Sequence, residues 1–220
     1  MNKKKEEHLK AILESGVIAV VRVRDAAAAI NIAKAVEKGG IKVIEITMTV
    51  PNALRVIKEV AEELGDQVII GAGTVLDGKT AKATISAGAE FVVGPTLNLE
   101  LIEVCKRYNK IAIPGAFTPT EIFSAWQKGA DIVKVFPATV AGPKYFKDLR
   151  GPLPQIRLLP TGGVNLQNAE DFIKAGAVAI AVGGALVDKK AIAEERYELI
   201  TQIAKKFIEV IKKARGEENV

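Results

Sequence analysis

Eight short runs of apolar, largely β-branched residues alternate with stretches of helical periodicity along the chain, and this alternation limits the fold more than any other feature. The runs are apolar at consecutive positions, as expected for parallel strands covered on both faces. Helical crossovers without a linker-like segment predict an α/β fold, a single (β/α)8 TIM barrel. The predicted strands cover residues 17–23, 42–47, 68–70, 90–93, 111–113, 131–135, 156–159 and 178–182.

Length and helical periodicity predict how this barrel is organised. A chain of 220 residues suits one barrel domain over residues 1–220. We expect an extra N-terminal helix over residues 1–15 and a frayed tail over residues 215–220. Amphipathic stretches predict helices at residues 26–38, 52–64, 77–87 and 118–128. Apolar positions within residues 9–13 and 200–211 predict two more helix faces, which pack either on the barrel or on a neighbouring subunit.

Four glycines, each between a predicted helix and the next strand, form a loose repeat. Gly39, Gly88, Gly129 and Gly176 are separated by 49, 41 and 47 residues, about two βα units each. Glycine at the end of a helix explains the turns by itself. The similar intervals also suit a barrel assembled from double units. The alternative is an open doubly wound sheet, which predicts a glycine-rich dinucleotide loop where this chain has VRVRD at residues 21–25.

Composition excludes several functional classes. The net charge is +5, but basic residues are spread out and aromatic residues make up 5%, so we expect no nucleic-acid partner. Cys105 and His8 are the only residues of their types, which disfavours a disulfide, a zinc site and a His-activated nucleophile. Cys105 is predicted to be buried and inert. No apolar run has the length of a membrane span, so we expect a cytoplasmic protein with no membrane partner.

All eight predicted strands place polar, small or backbone-shaping residues near or just beyond their carboxyl-terminal ends. Since the active site of such a barrel lies at the carboxyl-terminal ends of its strands, this asymmetry predicts an enzyme. The residues concerned are Arg22, Glu45, 71–74 (GAGT), 94–95 (GP), 114–116 (PGA), Lys134, 161–163 (TGG) and 183–184 (GG).

Lys134 interrupts an apolar predicted strand, DIVKVFP at residues 131–137. Burial favours the neutral amine and so lowers its pKa. An unperturbed amine with a pKa near ~10.4 is neutral in only about one molecule in 2,500 at pH 7. A pKa of ~7–8 raises that fraction by roughly two to three orders of magnitude. Lys134 is therefore a candidate nucleophile, although its position alone fits equally well a structural lysine paired with a carboxylate.

Glu45 is the single ionisable group in the second predicted strand, VIEIT. Strand alternation places it on the same side as Val43 and Thr47. If that side is the barrel interior, its carboxyl group can exchange protons with a bound substrate. The alternative is an ion pair with Lys134 and no chemistry, although buried pairs often fail to offset their desolvation.

Glycine pairs follow the last two predicted strands, at Gly162 and Gly163 and at Gly183 and Gly184. Glycine lets backbone N–H groups approach an anion closely. Barrels frequently bind phosphate between these two loops. Turn formation would explain either pair alone, but two pairs at the two expected loops favour a phosphate site.

Taken together, these segments resemble the 2-keto-3-deoxy-6-phosphogluconate (KDPG) aldolase family, also known for 4-hydroxy-2-oxoglutarate aldolases, a family of class I lyases. The likeness extends from about residue 17 to residue 186, with the order and spacing of its motifs kept. The matching segments are IEITMTVP at 44–51, GAGTV at 71–75, PGAFTPTE at 114–121, KVFPA at 134–138 and PTGGV at 160–164.

The resemblance implies a (β/α)8 barrel, usually a homotrimer, that acts on a phosphorylated keto acid and requires no metal or other cofactor. Lys134 matches the family's Schiff-base lysine, and Glu45 matches its proton-transfer carboxylate. The expected substrate is 2-keto-3-deoxy-6-phosphogluconate, cleaved to pyruvate and D-glyceraldehyde 3-phosphate. The residues expected to line the pocket are Thr47, Pro95, Phe136 and Thr161.

The chain departs from the family pattern at three positions. Thr49 stands where some members have an arginine that holds the substrate carboxylate, so we expect Arg22 to bind the carboxylate, helped by Thr74. Gly94 and Gly184 stand where the family often has serine, which bears on water placement, phosphate affinity and substrate preference. None of these changes removes the Lys134 and Glu45 pair.

Three alternatives remain open. The chain could cleave the galactonate epimer, 2-keto-3-deoxy-6-phosphogalactonate, or 4-hydroxy-2-oxoglutarate with the same residues. It could be a phosphosugar isomerase or epimerase, which would leave Lys134 without a role. It could also be a non-catalytic assembly or phosphosugar-binding barrel, although occupancy of the lysine, glutamate and arginine positions argues against this.

Overall fold

The predicted alternation of strands and helices continues through residues 3–217, the part of the chain that the computed structural model describes. The helix over Ala138–Arg150 is interrupted at Gly142, just before Pro143. The strands are β1 (Val17–Val21), β2 (Val43–Thr47), β3 (Ile69–Gly73), β4 (Phe91–Val93), β5 (Ile111–Ile113), β6 (Gly115–Ala116), β7 (Val133–Val135), β8 (Leu158–Pro160) and β9 (Ile180–Val182). The helices are α1 (Lys3–Ser15), α2 (Ala26–Lys38), α3 (Ala53–Leu64), α4 (Gly78–Ser86), α5 (Leu99–Arg107), α6 (Pro119–Gln127), α7 (Ala138–Arg150), α8 (Ala169–Lys174), α9 (Lys189–Ala193) and α10 (Tyr197–Arg215).

The strands form two parallel sheets. One has six strands in the order β5-β4-β3-β2-β1-β9, and the other has three in the order β6-β7-β8. Strand β5 coincides with the predicted strand at residues 111–113, and β6 is an additional short strand that follows the interruption at Pro114, which has no N–H to donate to a ladder. A single bridge between Thr161 and Ala181 connects the end of β8 to β9. The result is an α/β fold in which the parallel strands curl rather than lie flat.

Some boundaries differ from the sequence prediction. Strand β3 extends to Gly73 instead of ending at residue 70, because it pairs along the whole of β2, with Gly73 opposite Thr47. Glycines 71 and 73 weakened the strand signal because they carry no side chain. Gly88, Gly129 and Gly176 have the left-handed backbone expected after a helix, but Gly40 rather than Gly39 has it after α2.

Two apolar clusters lie on opposite sides of the strands. The outer cluster packs helices against the sheets and includes Ile200, Ala204, Phe207 and Ile211 of α10. The apolar face predicted within residues 200–211 therefore packs on the chain itself. The inner cluster contains Leu9, Ile12, Ile18, Val20, Val43, Phe91, Val93, Ile111, Ile113, Ile132, Leu159, Ala179 and Ala181.

Helix α1 is the extra N-terminal helix, and it closes the amino-terminal end of the inner cluster with Leu9 and Ile12. A buried ion pair fixes it there, with Lys5 Nζ 2.9 Å from Asp131 Oδ2. The same Asp131 oxygen accepts a hydrogen bond from the N–H of Ala112. Cys105 is fully buried, as predicted, and burial raises the pKa of its thiol to about 12, which disfavours the reactive thiolate.

The carboxyl-terminal end is better fixed than predicted. The guanidinium of Arg215 donates to the carbonyl oxygens of Leu13, Glu14 and Val178 at 2.7, 2.7 and 3.0 Å. Arg215 is therefore held against α1 and the start of the last strand, and it does not belong to a frayed tail. Residues 218–220 of that predicted tail lie outside the described residues. Within residues 3–217, no helix combines the length and apolar character needed to cross a bilayer.

Glu90→Gln is expected to lower the free energy of unfolding at pH 7 by about 1–3 kcal/mol, because it leaves partly buried donors without a charged partner. Glu90 lies 2.8 Å from Lys4 Nζ, 2.5 Å from Lys110 Nζ and 3.5 Å from His8 Nδ1. Burial opposes ionisation, but His8, Lys110 and Lys4 prevail and hold the pKa of Glu90 well below its ordinary value of 4.5.

The pH dependence of this effect has a fixed sign. A carboxyl group whose pKa is lower in the folded state stabilises the fold above pH 4.5, and its contribution is lost as the pH falls below 4.5. Urea unfolding of both proteins between pH 3 and pH 7 measures this contribution. A difference in stability that grows on acidification would contradict the assignment.

Candidate active site

Strand alternation brings the predicted site residues to one end of the inner cluster. Val43 and Ile132 belong to that cluster, and Glu45 and Lys134 follow them by two positions, on the same side of their strands. The same spacing leads from Val20 to Arg22, from Val93 to Pro95, from Leu159 to Thr161 and from Ala181 to Gly183. The inward orientation that the sequence left conditional for Glu45 is therefore present in the structure.

Lys134 is buried on β7, with 5% of its surface exposed. Its Nζ lies 5.2 Å from the centre of the Phe136 ring. Among the described residues, no carboxylate forms an ion pair with it and no acceptor takes a hydrogen bond from it. Burial lowers the pKa of Lys134 below 10.5, and Arg22 lowers it further, whereas Glu45 opposes the shift. The side chain is therefore biased toward the neutral, nucleophilic amine.

Glu45 is 1% exposed and reaches the same end of the inner cluster from β2. Burial raises the pKa of Glu45 above 4.5, while Lys134 and Arg22 oppose that rise. Its Oε2 has no hydrogen-bond partner in the part of the protein described. The two groups influence each other's charge without forming the structural ion pair that was the alternative interpretation. A carboxyl group whose pKa is raised in this way can both accept and donate a proton.

Gly73 provides the space that the Glu45 carboxyl group occupies. A Cβ atom at position 73 would lie 1.7 Å from Glu45 Oε1, far inside contact distance. The register of the sheet places Gly73 beside Thr47, two positions beyond Glu45 and its partner Gly71. This relation could not be predicted from the sequence, because it depends on which way the Glu45 side chain turns.

Arg22 and Thr74 lie together at the mouth of the site. Arg22 Nη2 donates to Thr74 Oγ1 at 3.2 Å. Thr74 has a φ of 59°, a left-handed conformation that is unusual for a β-branched residue. Such strain, of order 1–3 kcal/mol, is found mostly at functional sites. The exposed guanidinium is thereby oriented close to Lys134 and Glu45, where it can meet an anionic substrate group.

A cavity of about 360 Å³ lies between the two glycine loops and Arg22. Arg22, Phe136 and Thr161 line it together with Gly162, Gly163, Gly183 and Gly184. The backbone N–H groups of the four glycines donate no hydrogen bond to any of the described residues. Thr161 Oγ1 is also buried without a partner there. These donors make one side of the cavity suitable for an oxyanion such as phosphate.

The first glycine loop is held in shape by residues that sequence reasoning missed. Gly162 and Gly163 have φ values of 90° and 74°, and a Cβ atom on Gly163 would lie 1.9 Å from Thr139 Cγ2. Asn168 Nδ2 donates to Gly163 O at 3.0 Å, and Asn165 N donates to Asn168 Oδ1 at 2.9 Å. Asn165 and Asn168, just before α8, were the residues in the sequence that could have indicated these contacts.

Thr47 and Pro95 lie beside the cavity rather than on its lining. Thr47 is fully buried, and its hydroxyl donates to Val21 O at 3.2 Å and lies 2.8 Å from Thr49 Oγ1. The hydroxyl group is therefore already engaged. Pro95 packs with its backbone against Gly115, where a Cβ atom would lie 2.3 Å from the Pro95 carbonyl carbon. Strand pairing places Gly115 next to Lys134.

The two glycines that replace common family serines differ in the space around them. A Cβ atom on Gly184 would meet nothing within 4 Å, so a larger residue fits there. A Cβ atom on Gly94 would lie 3.2 Å from Leu101 Cδ1 and from Thr96 O, so a serine would require a small shift. Across residues 3–217, no three His, Cys, Asp or Glu side chains come close enough together to hold a metal ion.

The chain is similar to known proteins in sequence and in fold. The family model for KDPG and KHG aldolase matches residues 9–203. A 2-dehydro-3-deoxy-phosphogluconate aldolase from Pseudomonas aeruginosa is 36% identical over 182 residues, 82% of this chain and 82% of the relative. A KHG/KDPG aldolase from Escherichia coli is 32% identical over 202 residues, 91% of this chain and 94% of the relative.

A solved structure of similar fold shows covalent chemistry with pyruvate. The KDPG aldolase from Legionella pneumophila, with pyruvate captured at low pH as a covalent carbinolamine intermediate, gives a TM-score of 0.83 at 28% identity. The match covers 90% of this chain and 96% of that one. The family model spans most of the chain, and two relatives exceed 30% identity over more than four fifths of it. The protein belongs to the KDPG and KHG aldolase family.

Proposed function

We propose that the protein is a class I aldolase that cleaves 2-keto-3-deoxy-6-phosphogluconate to pyruvate and D-glyceraldehyde 3-phosphate. The observation that carries this proposal is the buried Lys134 amine, which has no carboxylate partner among the described residues and whose pKa is lowered. A phosphosugar isomerase or a non-catalytic barrel has no use for such an amine. The covalent carbinolamine that pyruvate forms in the Legionella pneumophila relative supports the same chemistry.

The reaction begins when the neutral amine of Lys134 attacks the C2 ketone to give a carbinolamine. Loss of water then forms an iminium ion, which is an electron sink. Glu45 removes the proton of the C4 hydroxyl group, the C3–C4 bond breaks, and its electron pair enters the enamine while the aldehyde leaves. Glu45 returns a proton to C3, and water hydrolyses the iminium to release pyruvate and regenerate the amine. The iminium supplies the electron sink, so the scheme requires no metal or other cofactor.

The two ends of the substrate have separate anchors in this proposal. Arg22, oriented by Thr74, binds the carboxylate through its planar guanidinium. The N–H groups of Gly162, Gly163, Gly183 and Gly184 bind the phosphate, and the cavity that they line also contains Arg22, Phe136 and Thr161. Thr47 and Pro95 support the lining residues from beside the cavity. Fixing both ends holds the reacting carbons beside Lys134.

We further infer that the two sheets close into one (β/α)8 barrel comprising a single domain over the chain. The sheets meet at the junction of β5 and β6 at Pro114 and at the bridge from Thr161 to Ala181. An inner cluster bordered by strands of both sheets supports closure. The resemblance supports a homotrimer acting in the cytoplasm, and light scattering of the purified protein tests the oligomeric state.

Incubation with pyruvate and borohydride is expected to add one reduced pyruvyl group to Lys134. Mass spectrometry of the intact protein and of its peptides measures the adduct and its position. An adduct on another lysine, or none, would sink the proposed mechanism. Lys174→Ala, which removes an exposed lysine paired with Glu170, is the control and should be labelled like the wild type.

A substrate panel separates the proposed substrate from its alternatives. Relative kcat/KM values on 2-keto-3-deoxy-6-phosphogluconate, its galactonate epimer and 4-hydroxy-2-oxoglutarate should favour the first compound. The N–H groups of the glycine loops donate no hydrogen bond within the described residues. They therefore favour a phosphorylated substrate over 4-hydroxy-2-oxoglutarate, which carries no phosphate. A higher kcat/KM for 4-hydroxy-2-oxoglutarate would contradict the phosphate assignment but leave the lysine chemistry intact.

A further inference from the structure

A second cavity opens at the amino-terminal ends of the strands, on the face opposite Lys134. It is a wide depression that is largely open to solvent, with a volume of about 920 Å³, within the range of small-molecule sites. Its charged lining consists of five cationic side chains and two carboxylates. These residues are Lys10, Glu14, Arg150, Arg157, Lys174, Arg215 and Glu217. We call this cavity the basal cleft.

Three arginines of the basal cleft are held in place by backbone carbonyl groups. Arg150 Nη1 donates to Gly176 O at 3.2 Å, and Arg157 Nη1 donates to Asp131 O at 3.4 Å. Arg215 donates to three carbonyl oxygens, as described above. The Arg150 side chain also lies flat on Gly176, where a Cβ atom would approach its Cδ to 2.0 Å. The guanidinium groups are therefore oriented before any ligand binds.

None of these three arginines pairs with a carboxylate among the described residues. The two lysines of the cleft differ, because Lys10 pairs with Glu14 at 3.7 Å and Lys174 pairs with Glu170 at 2.7 Å. A guanidinium has five N–H donors, and Arg150 and Arg157 each use one of them within the protein. The cleft is therefore lined by guanidinium groups that keep most of their donors unused and by an excess of positive charge.

We propose that the basal cleft is a second ligand site, which binds a small molecule carrying two or more linked phosphate groups. Planar guanidinium forks match phosphate oxygens in bidentate fashion. Several guanidinium groups around one opening require several anionic groups to neutralise them. The volume of the cleft accommodates a nucleotide or a pyrophosphate ester. This site lies apart from Lys134 and does not depend on the aldolase proposal.

Calorimetric titration with inorganic pyrophosphate tests the proposal. The titrated protein carries Gly184→Asp, so that pyrophosphate does not bind at the glycine loops of the active site. Position 184 has room for the added carboxylate, which repels phosphate from the glycine loops. We expect this protein to bind one pyrophosphate per chain at an ionic strength of about 0.15 M, at which diffuse attraction is largely screened. Adding Arg150→Gln and Arg157→Gln should weaken binding about tenfold or more, as expected when charged hydrogen bonds are lost.

The matched control adds Arg55→Gln and Arg107→Gln to Gly184→Asp, which removes the same charge away from the cleft. This control should bind pyrophosphate as tightly as Gly184→Asp alone. Equal weakening in both triple variants would mean binding to diffuse charge and would overturn the proposal. So would the absence of binding in the Gly184→Asp protein, or binding of citrate in preference to pyrophosphate. Thermal unfolding checks that every variant is folded.

Discussion

Lys134→Met is expected to abolish turnover, lowering kcat by more than about 10⁴-fold, because no other group supplies the covalent bond to the substrate. Methionine keeps the length and apolar stem of lysine, so it fills the space beside the Phe136 ring. Steady-state cleavage of the phosphorylated keto acid measures the loss. Lys128→Met, which replaces an exposed lysine at the end of α6, should retain wild-type activity.

The same substitution is expected to raise the free energy of unfolding at pH 7. Burial lowers the pKa of Lys134 from 10.5. At a pH below the pKa that Lys134 has in the folded protein, the amine is charged, and this charge lowers the free energy of unfolding. That cost disappears as the pH rises from the folded pKa toward 10.5. The stability advantage of Lys134→Met should therefore shrink on going from pH 7 to pH 10.

Chemical unfolding of both proteins at pH 7, 8.5 and 10 provides the comparison. A variant that is inactive and less stable at pH 7 would mean that Lys134 stabilises the fold, as a structural lysine would. An inactive and more stable variant would show that the site keeps an ionisable amine buried at a cost in stability because its chemistry requires it, a common conflict between stability and activity.

Gly73→Ala is the second substitution from which a large effect is expected. The added methyl group would lie 1.7 Å from Glu45 Oε1, so the carboxyl group must leave its position. We expect kcat to fall by about 10²–10⁴-fold, the range for loss of a positioned proton-transfer group. Gly151→Ala, where the nearest contact would be an ordinary 3.4 Å, is the control and should be fully active.

Two measurements separate positioning of Glu45 from general damage. First, Gly73→Ala should add little to the defect of Glu45→Gln, because both remove the same function. Second, Glu45 raises the pKa of Lys134, so its displacement should lower that pKa. The pH midpoint of pyruvate trapping with borohydride should then shift to lower pH. Additive losses of activity together with an unchanged midpoint would argue against a positioning role for Gly73.

Sequence patterns predicted most of the fold because local signals agreed with tertiary structure. Asp25, Asp77 and Thr118 cap α2, α4 and α6 within a residue of the expected starts, since their side chains accept hydrogen bonds from the first turn. The interruption at Pro114 and the extension of β3 through its glycines were not predicted. Both depend on strand pairing rather than on propensity.

The site was predictable to the extent that it follows from strand alternation. Once Val43 faces inward, Glu45 must do so as well, and the same relation applies to Ile132 and Lys134. The engagement of the Thr47 hydroxyl by Val21 O and Thr49 was not predictable, because it crosses between strands. The bonds from Asn168 to the glycine loop and the fit of Gly73 around Glu45 also depend on side-chain rotamers, which periodicity does not specify.

Arg215 also has a consequence for how the molecule opens. Its bonds to Leu13 and Glu14 connect the last turn of α10 to the last turn of α1 across more than 200 positions of the chain. Neither helix end can detach without breaking the same guanidinium contacts. In terms of amide hydrogen exchange, the two ends form one unit whose protection rises and falls together. Segments at the two extremes of the chain thus share a single free energy of local opening.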